Sequence, residues 1–241
     1  NMIEIGIDEA GRGPVIGPLV VCSVAIPKSD IGLLIDIGVK DSKDLTAKKR
    51  LLIKEWFIEN CDRNGWRYSL IYCSPERIDE AVFSKGLNIL ETELFAESIN
   101  GLKVNSEGQV NITCDACDVD ELRFSRRVMQ LIDGWPWDNS VLSSYHKADE
   151  NYPIVGMASI LAKVERDKSI EQLTKQIGIP LGSGYPSDPN TKAALPELLL
   201  DSTPHPALRW SWKTVIRAWN QKYGVDPPKR PSTSGNQQTL F

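Results

Sequence analysis

The chain is 241 residues long, 41% apolar and 25% charged, ordinary proportions for a soluble globular protein and enough for one large domain with or without an appendage. A net charge of −4, from 28 basic and 32 acidic side chains, argues against indiscriminate nucleic-acid binding. Gly17 and Pro18 break the best candidate for a membrane span, and no secretory signal is visible, so a cytoplasmic protein is expected.

Ile3, Ile5 and Ile7 alternate with Glu4, Gly6 and Asp8, which predicts a strand. That strand runs into two acids, Asp8 and Glu9, and then Gly11-Arg12-Gly13. Neighbouring strand residues point to opposite faces, so both acids are expected at one site only if the strand ends at Asp8. Residues 15–26 are almost all apolar and suit a two-sided strand paired with the first. A helix capped by Thr46 is predicted over 46–60, a strand over 66–73, a helix opened by Ser74-Pro75, and another helix over 86–99. Val110, Ile112 and Cys114 alternate with Asn111, Thr113 and Asp115, a second strand carrying an aspartate on its polar face. Helices follow over 119–132 and 157–177. A last helix over 209–222 places Trp212, Val215, Ile216 and Trp219 inward and aligns Arg209, Lys213 and Arg217 toward solvent. The order predicts a mixed α/β sheet flanked by helices.

Asp8 and Asp115 end strands that can lie side by side, and Asp149 follows in "HKADENYP". Carboxylates gathered without matching cations repel one another, and a hard divalent cation such as Mg²⁺, bound through carboxylates and substrate phosphate, relieves this. The bland alternative is a pair of strand-end caps on a polar rim. Residues 40–54 carry Lys40, Lys43, Lys48, Lys49, Arg50 and Lys54, and residues 209–222 carry Arg209, Lys213, Arg217 and Lys222. Each run alone reads as a solvated helix face; two of them suit a local phosphate footprint. The GRG loop reads either as a turn needing positive φ or as bare backbone that approaches a ligand closely. Five scattered cysteines make no disulfide framework. Cys114 and Cys117 form a lone CxxC that lacks two further zinc ligands, and read as part-buried thiols. Trp135, Trp137, Trp210, Trp212 and Trp219 read as core rather than base-stacking platforms.

"GIDEAGRGPVIGPLV" resembles the opening motif of type 2 ribonuclease H (ribonuclease HII) in its archaeal form. "VKDSKDLT", "CDACDVDELRF", "HKADENYPIVGMASILAKVERD", "GSGYPSDPNT" and "RWSWKT" continue the match in order, so that it covers residues 2 to about 222. The resemblance implies a ribonuclease H-like catalytic domain over 1–205 and a helical extension over 206–225 packed on the core, while the Pro-, Ser- and Gln-rich composition after Tyr223 predicts a flexible tail over 226–241. It implies a monomeric endonuclease that cleaves the RNA strand of RNA–DNA hybrids and single ribonucleotides embedded in duplex DNA, leaving 3′-hydroxyl and 5′-phosphate ends. By the same resemblance Asp8, Glu9, Asp115 and Asp149 match metal-binding catalytic carboxylates for two Mg²⁺ or Mn²⁺ ions. Gly11, Arg12 and Gly13 match a loop that senses the 2′-hydroxyl, and Tyr185 a ring that stacks on the following deoxyribose. Ser42 and Lys43 match a phosphate-contacting motif, with Lys147 and Arg166 as further phosphate neighbours. Gln237, Leu240 and Phe241 resemble a truncated sliding-clamp-binding motif without its second aromatic. Cys117 and Met157 stand where small residues are usual, and neither is expected to touch a ligand. The rival readings are a non-catalytic hybrid-binding module, which must treat four acids as accidental, and a broader nuclease or transposase relative, which would not need a 2′-hydroxyl reader.

Overall fold

A computed structural model describes residues 2–39, 43–104 and 108–231. The chain forms two compact units. One comprises the residues up to Arg12, Leu19–Cys73 and Asn88–Lys168; the other comprises Gly13–Pro18, Ser74–Leu87 and the residues from Ser169 onward. The boundary expected at residue 205 therefore does not coincide with the division between the units.

The first unit holds a five-stranded sheet of β1 (Met2–Ala10), β2 (Leu19–Pro27), β3 (Arg67–Cys73), β4 (Gln109–Asp115) and β5 (Val141–Tyr145), in the order β3-β2-β1-β4-β5. β1 runs antiparallel to β2 and parallel to β4; β3 is antiparallel to β2, and β5 parallel to β4. The helices are α1 (Ile31–Asp36), α2 (Ala47–Asn64), α3 (Pro75–Ser84), α4 (Leu87–Gly101) and α5 (Glu121–Met129). They continue with α6 (Ala148–Asn151), α7 (Pro153–Ile177), α8 (Pro189–Ala194) and α9 (Lys213–Tyr223). Thr46 caps α2 by accepting the Lys49 N–H at 3.2 Å. Ser74 caps α3 through the Arg77 N–H at 3.3 Å, with Pro75 at the first helical position. None of the described helices is long and apolar enough to cross a membrane.

One face of the sheet presents Val20, Cys22, Val24 and Ile26 to Ile53 and Phe57 of α2 and to the stretch from Ile154 to Ala162 of α7. Gly6 lies on this face, where a Cβ would run into the backbone of Ile154 and Val155, so glycine lets the first turn of α7 sit directly on β1. The Ser98 hydroxyl of α4 bonds Ser23 Oγ of β2 at 2.8 Å and Ser69 O of β3 at 3.0 Å, and Phe95 meets Phe124 of α5 edge-on. Helices thus cover both faces.

β1 does not end at Asp8 but continues to Ala10, and its ladder with β4 stops at the Ile7–Cys114 pair. The apolar run over 15–26 is not one strand either. Gly17, at a φ of +85°, and Pro18 break it, so Val15 and Ile16 enter the core of the second unit while β2 starts at Leu19.

In that second unit Val15, Ile16, Ile170, Leu181, Leu198, Leu208, Val215 and Trp219 pack together. α9 begins at Lys213 rather than 209, and Arg209 presents no cation to solvent. It is fully buried, donating Nε–H to Gly17 O at 3.1 Å and lying over the Trp212 ring. Trp210 and Trp219 are core residues as read, whereas Trp135, Trp137 and Trp212 are only half-buried.

Asp79 of α3, 1% exposed, accepts the backbone N–H groups of Trp210 and Ser211, the Ser211 hydroxyl, and Arg230 Nε–H at 2.9 Å. The Arg230 guanidinium also lies over the Trp210 ring at 4.4 Å. Composition predicted flexible chain from 226 onward, but an apolar ring and a buried carboxylate tie it down at Arg230. Removing one partner of a buried pair strands the other charge, so Arg230→Ala should lower unfolding free energy by about 2–4 kcal/mol. Chemical denaturation measures this, and unchanged stability would show that the anchor holds nothing. Deletion of 226–241, silent on composition alone, should carry the same loss.

Candidate active site

Asp8 and Glu9 obey the alternation of a strand and still meet. Asp8 leaves β1 on the α7 face, where the Ser159 side chain hydrogen-bonds it. Glu9 leaves on the opposite side, beside Cys117 and Glu91. Both stay paired with β2 but lie beyond the last β1–β4 pair, so on that side no strand separates the carboxyl groups, and Asp8 Oδ1 accepts the Glu9 N–H at 2.7 Å. Asp115 ends β4, the parallel neighbour, and one oxygen from each of Asp8, Glu9 and Asp115 falls within 4.8 Å of the others. This is the carboxyl end of the parallel pair, where sheets of this kind open a crevice for ligands.

Asp8 is 4% exposed, and burial, reinforced by Glu9, holds its carboxyl well above the usual carboxylate range. Burial and then the Glu91 charge push Glu9 up to about 7. Burial and then Asp8 push Asp115 up to about 7, against a hydrogen bond from the Ala148 N–H to Asp115 Oδ1 at 2.7 Å. Lys147 sets up that bond by turning through a φ of +56°, a left-handed conformation unusual for a side-chain-bearing residue.

Asp149, on α6 and 5% exposed, is felt by Asp8 and Asp115 as a like charge but lies outside the 4.8 Å group. Its Oδ1 has no hydrogen-bond partner among the described residues, and Lys43 Nζ stands 3.7 Å from its Oδ2. Lys147 is exposed, with Nζ 3.4 Å from Glu150. Arg166 is only 3% exposed, packed into the interior by α7. Tyr185, 40% exposed, lies in the second unit, where its ring faces Gly13. Ser42, Gln237, Leu240 and Phe241 lie outside the described residues.

Two neighbours escaped the sequence reading. Cys117 donates its thiol to Glu9 Oε2 at 3.4 Å, a contact within the protein. Glu91 is fully buried on α4, within 4.8 Å of both Glu9 and Cys117. A signal for it existed, since Glu91 stands four residues from both Leu87 and Phe95, on a helical stripe shared with apolar residues.

The family model for ribonuclease HII matches residues 5–215. Ribonuclease HII of Pyrococcus furiosus is 43% identical over 211 residues, covering 87% of this chain and 88% of that protein. The crystal structure of ribonuclease H2 from Pyrococcus horikoshii superposes with a TM-score of 0.79 at 38% identity, covering 91% of this chain and 98% of that one. A PCNA:RNase HII complex from Archaeoglobus fulgidus gives 0.73 at 39% identity, covering 89% and 96%. A mixed sheet with acids at the carboxyl ends of β1 and β4, together with these likenesses along most of its length, shows that the chain belongs to the ribonuclease HII family, the type 2 ribonucleases H.

Proposed function

We propose that the chain hydrolyses the RNA strand of RNA–DNA hybrids, and nicks duplex DNA at single ribonucleotides, leaving 3′-hydroxyl and 5′-phosphate ends. The observation that carries this reading is the convergence of Asp8, Glu9 and Asp115 within 4.8 Å, with all three carboxyl groups pushed upward. An all-oxygen donor set crowded with like charge fits hard divalent cations, Mg²⁺ or Mn²⁺. Asp8, Glu9, Asp115 and Asp149 would hold two such ions. When bound, they lower the pKa of an attacking water and stabilise charge on the leaving 3′-oxygen.

The remaining work belongs to the protein. Ser159 fixes Asp8 and the Ala148 N–H fixes Asp115, so the carboxylates are aimed before substrate arrives. Gly11, Arg12 and Gly13 present backbone to the ribose 2′-hydroxyl, which distinguishes RNA from DNA in the minor groove. Tyr185 stacks on the deoxyribose that follows, and Lys43 and Lys147 attract phosphates. A single chain supplies every group, so a monomer suffices. Since the Archaeoglobus fulgidus relative was solved with PCNA, we assign the same sliding-clamp role to Gln237, Leu240 and Phe241.

A duplex with one embedded ribonucleotide tests the reading. Incubation with Mg²⁺ should give a single nick at the ribonucleotide, and EDTA should abolish it. Cleavage at full rate in EDTA would refute the metal-dependent reading.

A further inference from the structure

Arg12 sits between two glycines, yet its side chain is gripped. Its Nε lies 2.8 Å from Glu91 Oε1, and its Nη2 donates to Asn88 Oδ1 at 2.6 Å. Asn88 and Glu91 are three residues apart on α4 and therefore share one face. A planar guanidinium held at two points by a rigid helix is fixed in orientation as well as position, which a lysine in its place would not be. Glu91 is fully buried, and a buried carboxylate is costly unless a cation pairs with it. The flanking residues cannot supply such stiffness: Gly11 takes a φ of +92°, and neither glycine has a side chain to pack.

We propose that Glu91 and Asn88 are positioning residues that clamp Arg12, and through it hold the backbone of residues 11–13 where it reads the 2′-hydroxyl. Arg12 acts through α4 and not by contacting a phosphate. The inference rests on the loop being the sugar reader, and names the parts of α4 that make it one.

A double-mutant cycle on the single-ribonucleotide duplex tests the clamp. Arg12→Ala and Glu91→Gln should each lower kcat/KM by about 10- to 100-fold, the scale expected when a reading group is displaced by about an ångström. The double variant should lose no more than the worse single, because both changes cut one link. Asn88→Ala, which leaves the buried ion pair in place, should lose less in the same direction. Salt dependence separates the clamp from a phosphate contact. The slope of log Kd against log salt, for the same duplex in EDTA, should be the same in wild type and Arg12→Ala, whereas losing one phosphate contact would make it shallower by about one. Losses that multiply in the double variant, or a shallower slope in Arg12→Ala with Glu91→Gln at the wild-type rate, would overturn the clamp. A wild-type protein that leaves the ribonucleotide duplex intact would instead refute the functional reading beneath it.

Discussion

Asp8→Asn should lower cleavage of the single-ribonucleotide duplex by about a thousandfold or more, while the metal-free protein melts no lower than wild type. The two outcomes come from one arrangement. Asp8 is central to the cluster, since Glu9 and Asp115 both meet it. Losing its charge removes several kcal/mol of transition-state stabilisation, and each ~1.4 kcal/mol is tenfold in rate. Asparagine keeps the shape and an oxygen for the Glu9 N–H while relieving repulsion among buried carboxylates. A variant that loses activity and stability together would mean that Asp8 holds the fold, not the chemistry.

The sign of the pH dependence follows from the same groups. Asp8, Glu9 and Asp115 are all raised in the folded state, Glu9 and Asp115 to about 7, above the roughly 4 of an unfolded carboxylate. Between those values the folded state holds protons that the unfolded state has released. This contribution to stability is therefore fully present below pH ~4, and is lost as pH rises through about 7. Metal-free wild type should melt higher at pH 6 than at pH 8, and Asp8→Asn should flatten that difference. Added Mg²⁺ should raise the melting temperature more at pH 8, where the carboxylates are free of protons.

The alternation of apolar residues made β1 and β4 legible, and caps at Thr46 and Ser74 located α2 and α3, because each signal is local. β5 escaped because it is five residues long, with only Leu142 and Ser144 facing inward. Arg209 misled because helical spacing with Lys213 and Arg217 looks like a solvated face. Only the fold reveals that the Gly17 carbonyl and the Trp212 ring enclose it. Asp8, Glu9, Asp115 and Asp149 stood out because acids beside apolar strands or helices demand a reason. Whether Glu9 could join Asp8 was decided by where the β1–β4 ladder stops, a pairing register that β1 alone does not encode. Asn88 and Cys117 depend on contacts spanning 76 and 108 positions in sequence, beyond the reach of spacing, whereas the helical stripe of α4 carries a signal only for the burial of Glu91.

Gly13→Ala should lower cleavage at a lone ribonucleotide by about a hundredfold with little change in stability, because a Cβ there would hold the sugar away from the proposed reading backbone without straining the fold. The Gly13 carbonyl accepts Trp212 Nε1–H at 3.2 Å, and a Cβ at Gly13 would lie 3.4 Å from Tyr185 Cε1, a contact the ring can meet by a small shift. Gly11→Ala differs, since a φ of +92° disfavours any L side chain, and it should cost about 1 kcal/mol of stability as well as activity. Tyr185, half-exposed with its ring against Gly13, is the group proposed above to stack on the next sugar. Tyr185→Ala should therefore reduce the rate on a single-ribonucleotide duplex more than on a continuous hybrid, since only the former places a deoxyribose after the ribonucleotide. The measurement is the ratio of the two rates for wild type and each variant, with melting temperatures alongside. If all three variants lose both activities in equal proportion, the loop and Tyr185 are scaffolding, and selection for the ribonucleotide must be made elsewhere in the protein.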